Sequence, residues 1–154
     1  MLSAEEKRLI DEEARCYPDR RAVCIDALRL VQRERGWISD ETLAEIAAYV
    51  GMSVDNLESV ATFYNLIHRR PVGRHVILLC DSVSCWLTGY RGIGEHLRAR
   101  LGVDFGGTTA DGRFTLLPNV CLGRCEYAPV MMVDDDAHHD LTPEAVDRIL
   151  EDYG

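Results

Sequence analysis

In residues 75–85 the chain reads HVILLCDSVSC. Four aliphatic residues follow His75 without an intervening charge, and such a run is typical of a β-strand buried within a sheet. The strand is expected to end near Cys80, where a polar loop begins, and Cys85 follows within that loop. This stretch therefore predicts a buried strand that brings two thiols to the edge of a sheet.

A second stretch repeats the arrangement in residues 114–125, which read FTLLPNVCLGRC. Phe114–Leu117 predicts another strand, and Cys121 and Cys125 follow it in a loop. We expect both loops to leave the same edge of the sheet if the two strands are neighbours. The four thiolates would then converge on one site.

Four converging thiolates have the chemistry of an iron–sulfur site. A [2Fe–2S] cluster contains two irons that each need two protein ligands, and soft thiolate sulfur suits iron in this role. Ser82, Ser84 and Gly123 are expected to donate hydrogen bonds to the sulfurs, which tunes the reduction potential of such a cluster. The side chains expected to shield it from water are Val83, Trp86, Leu122 and Pro129.

The same spacing also suits a structural zinc site, because closely spaced cysteine pairs are common zinc ligands. Four buried thiols that only pack in the core are a third interpretation. A thiol redox enzyme is disfavoured because no C-x-x-C occurs, and a Rieske centre because no histidine lies near the four cysteines. The remaining cysteines, Cys16 and Cys24, are expected to be small apolar core residues on helices.

The character of the chain changes at Arg69–Gly73, where proline and glycine mark a turn or linker. Apolar residues recur at helical period before it, whereas strand, helix, strand, strand and helix follow it. A hairpin turn at Asp134–Asp136 is predicted to lead to a short strand near His139–Leu141. We predict an α+β protein with a helical bundle over residues 1–70 and a mixed-sheet domain over 71–154, for which a thioredoxin-like layout is one arrangement.

Charge and composition restrict the possible partners. The formal net charge of -9 disfavours nucleic acid, whose binding depends on Lys and Arg that neutralise phosphates. No stretch approaches the roughly 20 apolar residues of a membrane span. The N-terminus lacks the pattern of a signal or transit peptide, which makes a metal or redox role for the six cysteines more reasonable than disulfides. We expect a cytosolic protein, or one docked on a membrane complex from the cytosolic side.

Several stretches together carry a family resemblance. They are CDSVSC at 80–85, GRFTLLP at 112–118, CLGRC at 121–125, APVMMV at 128–133, SVATFY at 59–64, PVGRHVI at 71–77 and VQRERGW at 31–37. In their order along the chain they resemble the thioredoxin-like [2Fe–2S] subunits of respiratory complex I, the NADH:quinone oxidoreductase. The resemblance covers nearly the whole chain and disfavours zinc.

The resemblance implies a helical bundle followed by a thioredoxin-like domain, with Cys80, Cys85, Cys121 and Cys125 as ligands of one [2Fe–2S] cluster. It implies an electron-transfer role beside a larger subunit that binds flavin mononucleotide and NADH, and a neighbouring iron–sulfur subunit. It also implies no catalytic residue in this chain and a peripheral location on the cytoplasmic side of the inner membrane. Similar subunits serve NAD-linked formate dehydrogenases and NAD-reducing hydrogenases, which is the alternative.

Overall fold

In a computed structural model, which describes residues 1–154, the first half of the chain is made of four α-helices. They are α1 (Ala4–Ala14), α2 (Cys24–Arg35), α3 (Asp40–Val50) and α4 (Val54–Phe63), and a 3-10 turn (Arg20–Val23) precedes α2. These helices belong to one compact unit, Met1–Pro71, which we call the helical unit.

The ends of these helices are marked by capping side chains and by glycines. The Ser3 hydroxyl accepts a hydrogen bond from the Glu6 amide at 3.0 Å, and the Glu6 carboxylate accepts one from the Ser3 amide at 2.6 Å. These two bonds satisfy amides that have no partner inside the helix. The Ser39 hydroxyl accepts a hydrogen bond from the Thr42 amide and caps α3, and Gly36 and Gly51 end α2 and α3 with positive φ.

Each helix of this unit contributes a fully buried side chain to a common core: Ile10, Leu28, Ile46 and Leu57 are all completely inaccessible. Burying a side chain of this size stabilises a fold by about 1.5–3 kcal/mol. The core therefore holds together helices whose isolated stability would be marginal.

The second compact unit, Val72–Gly154, contains a four-stranded sheet, and we call it the sheet unit. Its strands are β1 (His75–Cys80), β2 (Phe114–Asn119), β3 (Met131–Val133) and β4 (Asp136–His138), and its helices are α5 (Val83–Thr88), α6 (Tyr90–Leu101) and α7 (Pro143–Asp152). A 3-10 turn, Cys125–Tyr127, lies between β2 and β3. The strand order is β2-β1-β3-β4.

Strand β1 lies inside the sheet, parallel to β2 and antiparallel to β3. This explains its uninterrupted apolar sequence, because a strand with neighbours on both sides and a covered face exposes little side chain to water. Ile77 and Leu79 are completely buried and share a core with Phe114, Leu97 of α6 and Val146 of α7. The combination of helices and a mixed sheet confirms the predicted α+β class.

One predicted strand is misplaced. The hairpin turn consists of Asp134 and Asp135 alone, and Val133 pairs with Asp136 in β4, so the expectation of a strand near His139–Leu141 is wrong. The carboxylate of Asp134 accepts a hydrogen bond from the Val76 amide at 2.8 Å and lies 2.7 Å from His75 Nδ1. These contacts fix the turn directly after Val133.

No helix in the chain combines the length and the hydrophobicity that crossing a membrane requires.

Candidate metal centre

The parallel pairing of β1 and β2 brings the two cysteine loops to the same edge of the sheet. The register pairs His75 with Phe114 and Cys80 with Asn119, so both strands end at the same level. The amide of Asp81 still donates to the Asn119 carbonyl at 2.9 Å, which extends the pairing one residue into the loop. The two strands are therefore neighbours, which was the condition for the predicted convergence of the four thiolates.

The first loop turns at once into the short helix α5. Ser82 is the residue before the helix, and its carbonyl accepts a hydrogen bond from the Trp86 amide at 2.8 Å. Cys85 lies in the first turn and is directed inward, with an exposed fraction of 1%. The helical turn thus returns the second thiol of the loop toward Cys80.

The second loop is folded around Gly123, which has a φ of 75°. Its amide donates a hydrogen bond to the Cys121 sulfur at 3.4 Å, and the chain then turns so that Cys125 follows beside Cys121. The two sulfurs, Cys121 Sγ and Cys125 Sγ, are 3.9 Å apart. A left-handed residue is most readily a glycine, which accounts for the residue type at this turn.

The two cysteine pairs differ in exposure. Cys80 and Cys85 are 3% and 1% exposed and pack with Val130, and Tyr90 and Leu122 lie partly buried against them. Cys121 and Cys125 are both exposed to solvent. The site therefore has a buried side contributed by the first loop and an open side contributed by the second.

The protonation chemistry of the thiols follows this difference. Burial, and next the neighbouring Cys80, raises the pKa of Cys85 to about 11. The amide of Gly123, assisted by the thiol of Cys125, lowers the pKa of Cys121 because it stabilises the thiolate. The Cys121 sulfur in turn raises the pKa of Cys125. In the absence of a metal, Cys121 is therefore the thiol of the exposed pair that most readily carries negative charge.

Two side chains of the first cysteine loop interact with sulfurs of the second. The hydroxyl of Ser82 interacts with the Cys121 sulfur and that of Ser84 with the Cys125 sulfur, and both interactions lower the pKa of the thiol concerned. The charge on Cys80 also acts on Cys125. The hydroxyls of the first loop thus face the sulfurs of the second, as the sequence led us to expect.

The expected shield is only partly formed. Leu122 packs against the buried pair and Pro129 is buried, whereas Val83 and Trp86 are 69% and 51% exposed. Both project from α5, a helix that the sequence analysis did not predict because it is too short to show an apolar period. Leu87, in the same helix, is 72% exposed.

The other two cysteines lie in the helical unit. Cys24 is buried in its core, as predicted. Cys16 is exposed, contrary to the prediction, because α1 ends at Ala14 and Cys16 falls in the turn that follows.

The donor set of the four loop cysteines fits a [2Fe–2S] cluster. Two thiol pairs stand on two loops at one sheet edge, and amide and hydroxyl donors are directed at the sulfurs, as such a cluster requires. No group of three or more His, Cys, Asp or Glu side chains in the chain is arranged to hold a metal ion. The fit rests on the two pairs and their chemistry.

The fold and this donor set define a class of electron-carrying protein, and the chain belongs to the thioredoxin-like [2Fe–2S] ferredoxin family, whose model matches residues 10–154. The E subunit of the NADH-quinone oxidoreductase of Escherichia coli (strain K12) is 51% identical over 152 residues, which are 99% of this chain and 92% of that protein. Its counterpart of the same name in Pseudomonas aeruginosa is 46% identical over 153 residues, again 99% of this chain and 92% of the relative.

A solved structure shares the fold at lower identity. A chain of the NAD+-reducing [NiFe]-hydrogenase in its H2-reduced state matches with a TM-score of 0.69 and 23% identity, over 82% of this chain and 22% of the hydrogenase chain. This likeness extends to the fold alone.

Proposed function

We propose that this chain is the electron-transferring [2Fe–2S] subunit of an NADH:quinone oxidoreductase and holds one cluster through Cys80, Cys85, Cys121 and Cys125. The observation that carries the ligand assignment is the parallel register of β1 with β2, which ends both strands, and so begins both cysteine loops, at one edge of the sheet. The identity of 51% across 99% of the chain supports the parent complex.

A [2Fe–2S] cluster, when bound, supplies a centre that takes up and releases one electron. The four cysteines hold it, two from each loop, and the Gly123 amide stabilises negative charge on the Cys121 sulfur. The buried pair keeps water from one side of the site, while the exposed pair leaves the other side open to an electron donor. The chain itself holds no substrate and is not catalytic alone.

The partner in this proposal is a subunit that binds flavin mononucleotide and NADH, with a second iron–sulfur subunit nearby. The exposed pair and the exposed side chains of α5, Trp86 and Leu87, support a contact on this edge, since exposed aromatic and aliphatic groups mark protein interfaces. We place the chain in the cytoplasm, on the cytoplasmic side of the inner membrane, as a peripheral part of the complex.

We also propose that residues 1–70 and 71–154 are two domains with separate tasks. The helical part carries no ligand in this assignment, and the sheet part carries all four. The two separate cores, one of helices and one around the sheet, support this division.

The relatives favour an NADH:quinone oxidoreductase over a hydrogenase or a formate dehydrogenase as the parent complex. The oxidoreductase subunits from Escherichia coli and Pseudomonas aeruginosa are 51% and 46% identical along almost the entire chain. The hydrogenase chain, at 23% identity, shares only its fold.

The test is spectroscopy and metal analysis of the full chain, purified without oxygen. We expect about two irons and two sulfides per chain and, after dithionite reduction, the EPR signal of a reduced [2Fe–2S] centre. Cys80→Ser and Cys121→Ser should lose the cluster, and the matched control Cys24→Ser, a buried cysteine outside the site, should keep it. Zinc without sulfide, or equal loss in all three variants, would contradict the proposal.

A further inference from the structure

We propose that Cys121 and Cys125 form a reversible disulfide whenever the chain carries no cluster, and that this disulfide must be reduced before a metal centre can bind. The second cysteine loop would then have two states, a dithiol that accepts the metal and a disulfide that protects the empty chain.

The geometry of the exposed pair favours this bond. The Cys121 and Cys125 sulfurs are 3.9 Å apart, and both thiols are open to solvent. A disulfide requires about 2 Å between the sulfurs, so a small movement of the side chains is sufficient. The turn at Gly123, with nothing within 4 Å of the position that a Cβ would take, leaves room for that movement.

The buried pair is protected from the same reaction. Cys80 and Cys85 are at most 3% exposed and are covered by Val130 and, in part, by Tyr90 and Leu122. An oxidant dissolved in water has to reach a sulfur before exchange begins, and access controls that step. The fold therefore directs oxidation to the exposed pair, Cys121 and Cys125.

The reaction is balanced with glutathione disulfide as the oxidant. The Cys121 sulfur attacks one sulfur of glutathione disulfide, the S–S bond of the oxidant breaks, and one glutathione leaves. The Cys125 sulfur then attacks the Cys121 sulfur of the mixed disulfide and releases the second glutathione. Two protein thiols are oxidised, one glutathione disulfide is reduced to two thiols, and the protons of the cysteines pass to the released glutathiones.

Formation of the disulfide depends only on the geometry of the second loop. Its effect on metal binding rests, in addition, on the ligand set proposed above. The two parts are therefore tested separately.

Trypsin reports the disulfide directly, because Arg124 lies between the two cysteines. The full chain is freed of metal by a chelator, treated with glutathione disulfide, freed of that reagent, alkylated in concentrated urea so that buried thiols also react, and digested. We expect peptides 114–124 and 125–148 to be joined until a reductant is added, and peptide 75–91, which holds Cys80 and Cys85, to be alkylated at both cysteines. Separate peptides 114–124 and 125–148 would overturn the proposal.

Two controls test whether the burial of Cys80 and Cys85, rather than the spacing of the cysteines in the sequence, decides which pair is oxidised. In concentrated urea the burial of Cys80 and Cys85 is lost, so peptide 75–91 should also form an internal disulfide. If peptide 75–91 is oxidised as readily in buffer as in urea, the protection argued from burial is wrong. In Cys125→Ser, Cys121 should retain one glutathione, and the joined peptides should disappear.

The effect of the disulfide on metal binding is tested with cadmium ions. Their thiolate complexes absorb in the ultraviolet, and they do not reduce disulfides. The reduced full chain should bind cadmium, the oxidised chain should lose that absorption, and dithiothreitol should restore it. Equal absorption in both states, with the joined peptides present, would leave the disulfide standing but overturn its control of metal binding. The ligand set is tested independently by the iron and sulfide content of the cysteine variants.

Discussion

The helical unit and the sheet unit both bury cysteines, but Cys24 of the first and Cys85 of the second have different neighbours. Cys24 lies in the core of the helical unit, where burial raises its pKa. Cys85 is also buried, but Cys80 lies beside it, and the pKa of Cys85 is raised to about 11. The residue type and the burial are the same, and only the second thiol belongs to a possible metal centre.

The difference shows that topology, rather than composition, creates the site. In the helical unit the polar residues serve the helix ends, as Ser3 and Ser39 do, and stabilise the fold. In the sheet unit two strand ends that are distant in the sequence meet, and the two cysteine loops leave the same edge of the sheet. Variants matched between the two units can test this contrast.

The largest effects are expected from buried leucines. Leu28 and Leu79 are both completely inaccessible, one in each unit, and replacement of either by alanine should lower the free energy of unfolding by about 3 kcal/mol, as urea denaturation followed by circular dichroism would measure. Only Leu79→Ala, adjacent to Cys80, should also reduce the iron retained after gel filtration. Equal iron retention in the two variants would contradict the view that only the sheet unit positions the metal-binding cysteines.

A smaller effect concerns Glu6 in the helical unit. Arg35, 2.7 Å away, is the main cause that lowers the pKa of Glu6 from 4.5 to about 2. Because the folded-state pKa lies below the unfolded one, the stabilisation is complete above pH 4.5 and is lost as the pH falls toward 2. Glu6→Gln should cost about 2 kcal/mol at pH 7 and flatten the acid dependence of unfolding.

The iron content of Glu6→Gln should equal that of the unmodified chain. The control is Glu5→Gln, whose exposed carboxylate pairs with Arg8 on the helix surface. It should leave the urea midpoint almost unchanged at pH 7, and an equal loss in the two variants would show that burial of Glu6 is unimportant.

The smallest effect is expected at two glycines with nearly the same backbone. Gly51 and Gly123 have φ values of 80° and 75°, and neither has an atom within 4 Å of an added Cβ. Alanine at either position should cost about 1 kcal/mol of backbone strain. Only Gly123→Ala should lower the reduction potential and alter the EPR signal of the cluster, since it disturbs the amide that donates to Cys121. A shifted signal in Gly51→Ala would refute this.

The sequence was sufficient for the features that depend on local interactions. Capping residues such as Ser39 and glycines such as Gly51 mark helix ends in the sequence, because a cap acts within one turn. The four cysteines were identified as one set from their positions after apolar runs. That set remains an assignment to be tested by experiment.

Features that depend on contacts between distant parts of the sequence could not be predicted from it. The parallel pairing of β1 with β2 could be stated only as a condition, since nothing in either stretch specifies its neighbour. Helix α5 was missed because six residues are too few to display an apolar period. The strand after the turn at Asp134 was misplaced because the extent of that turn depends on the Val76 amide, which is far away in the sequence.

The common edge of β1 and β2 has a mechanical consequence. A centre held by both loops would join Cys85 to Cys121 and close a loop of roughly 36 residues, which acts on the unfolded chain as a disulfide does. By that chain-entropy estimate the cross-link would stabilise the sheet unit by about 4 kcal/mol. The metal centre would then be a structural brace as well as an electron carrier, and its loss would soften the sheet edge that holds it.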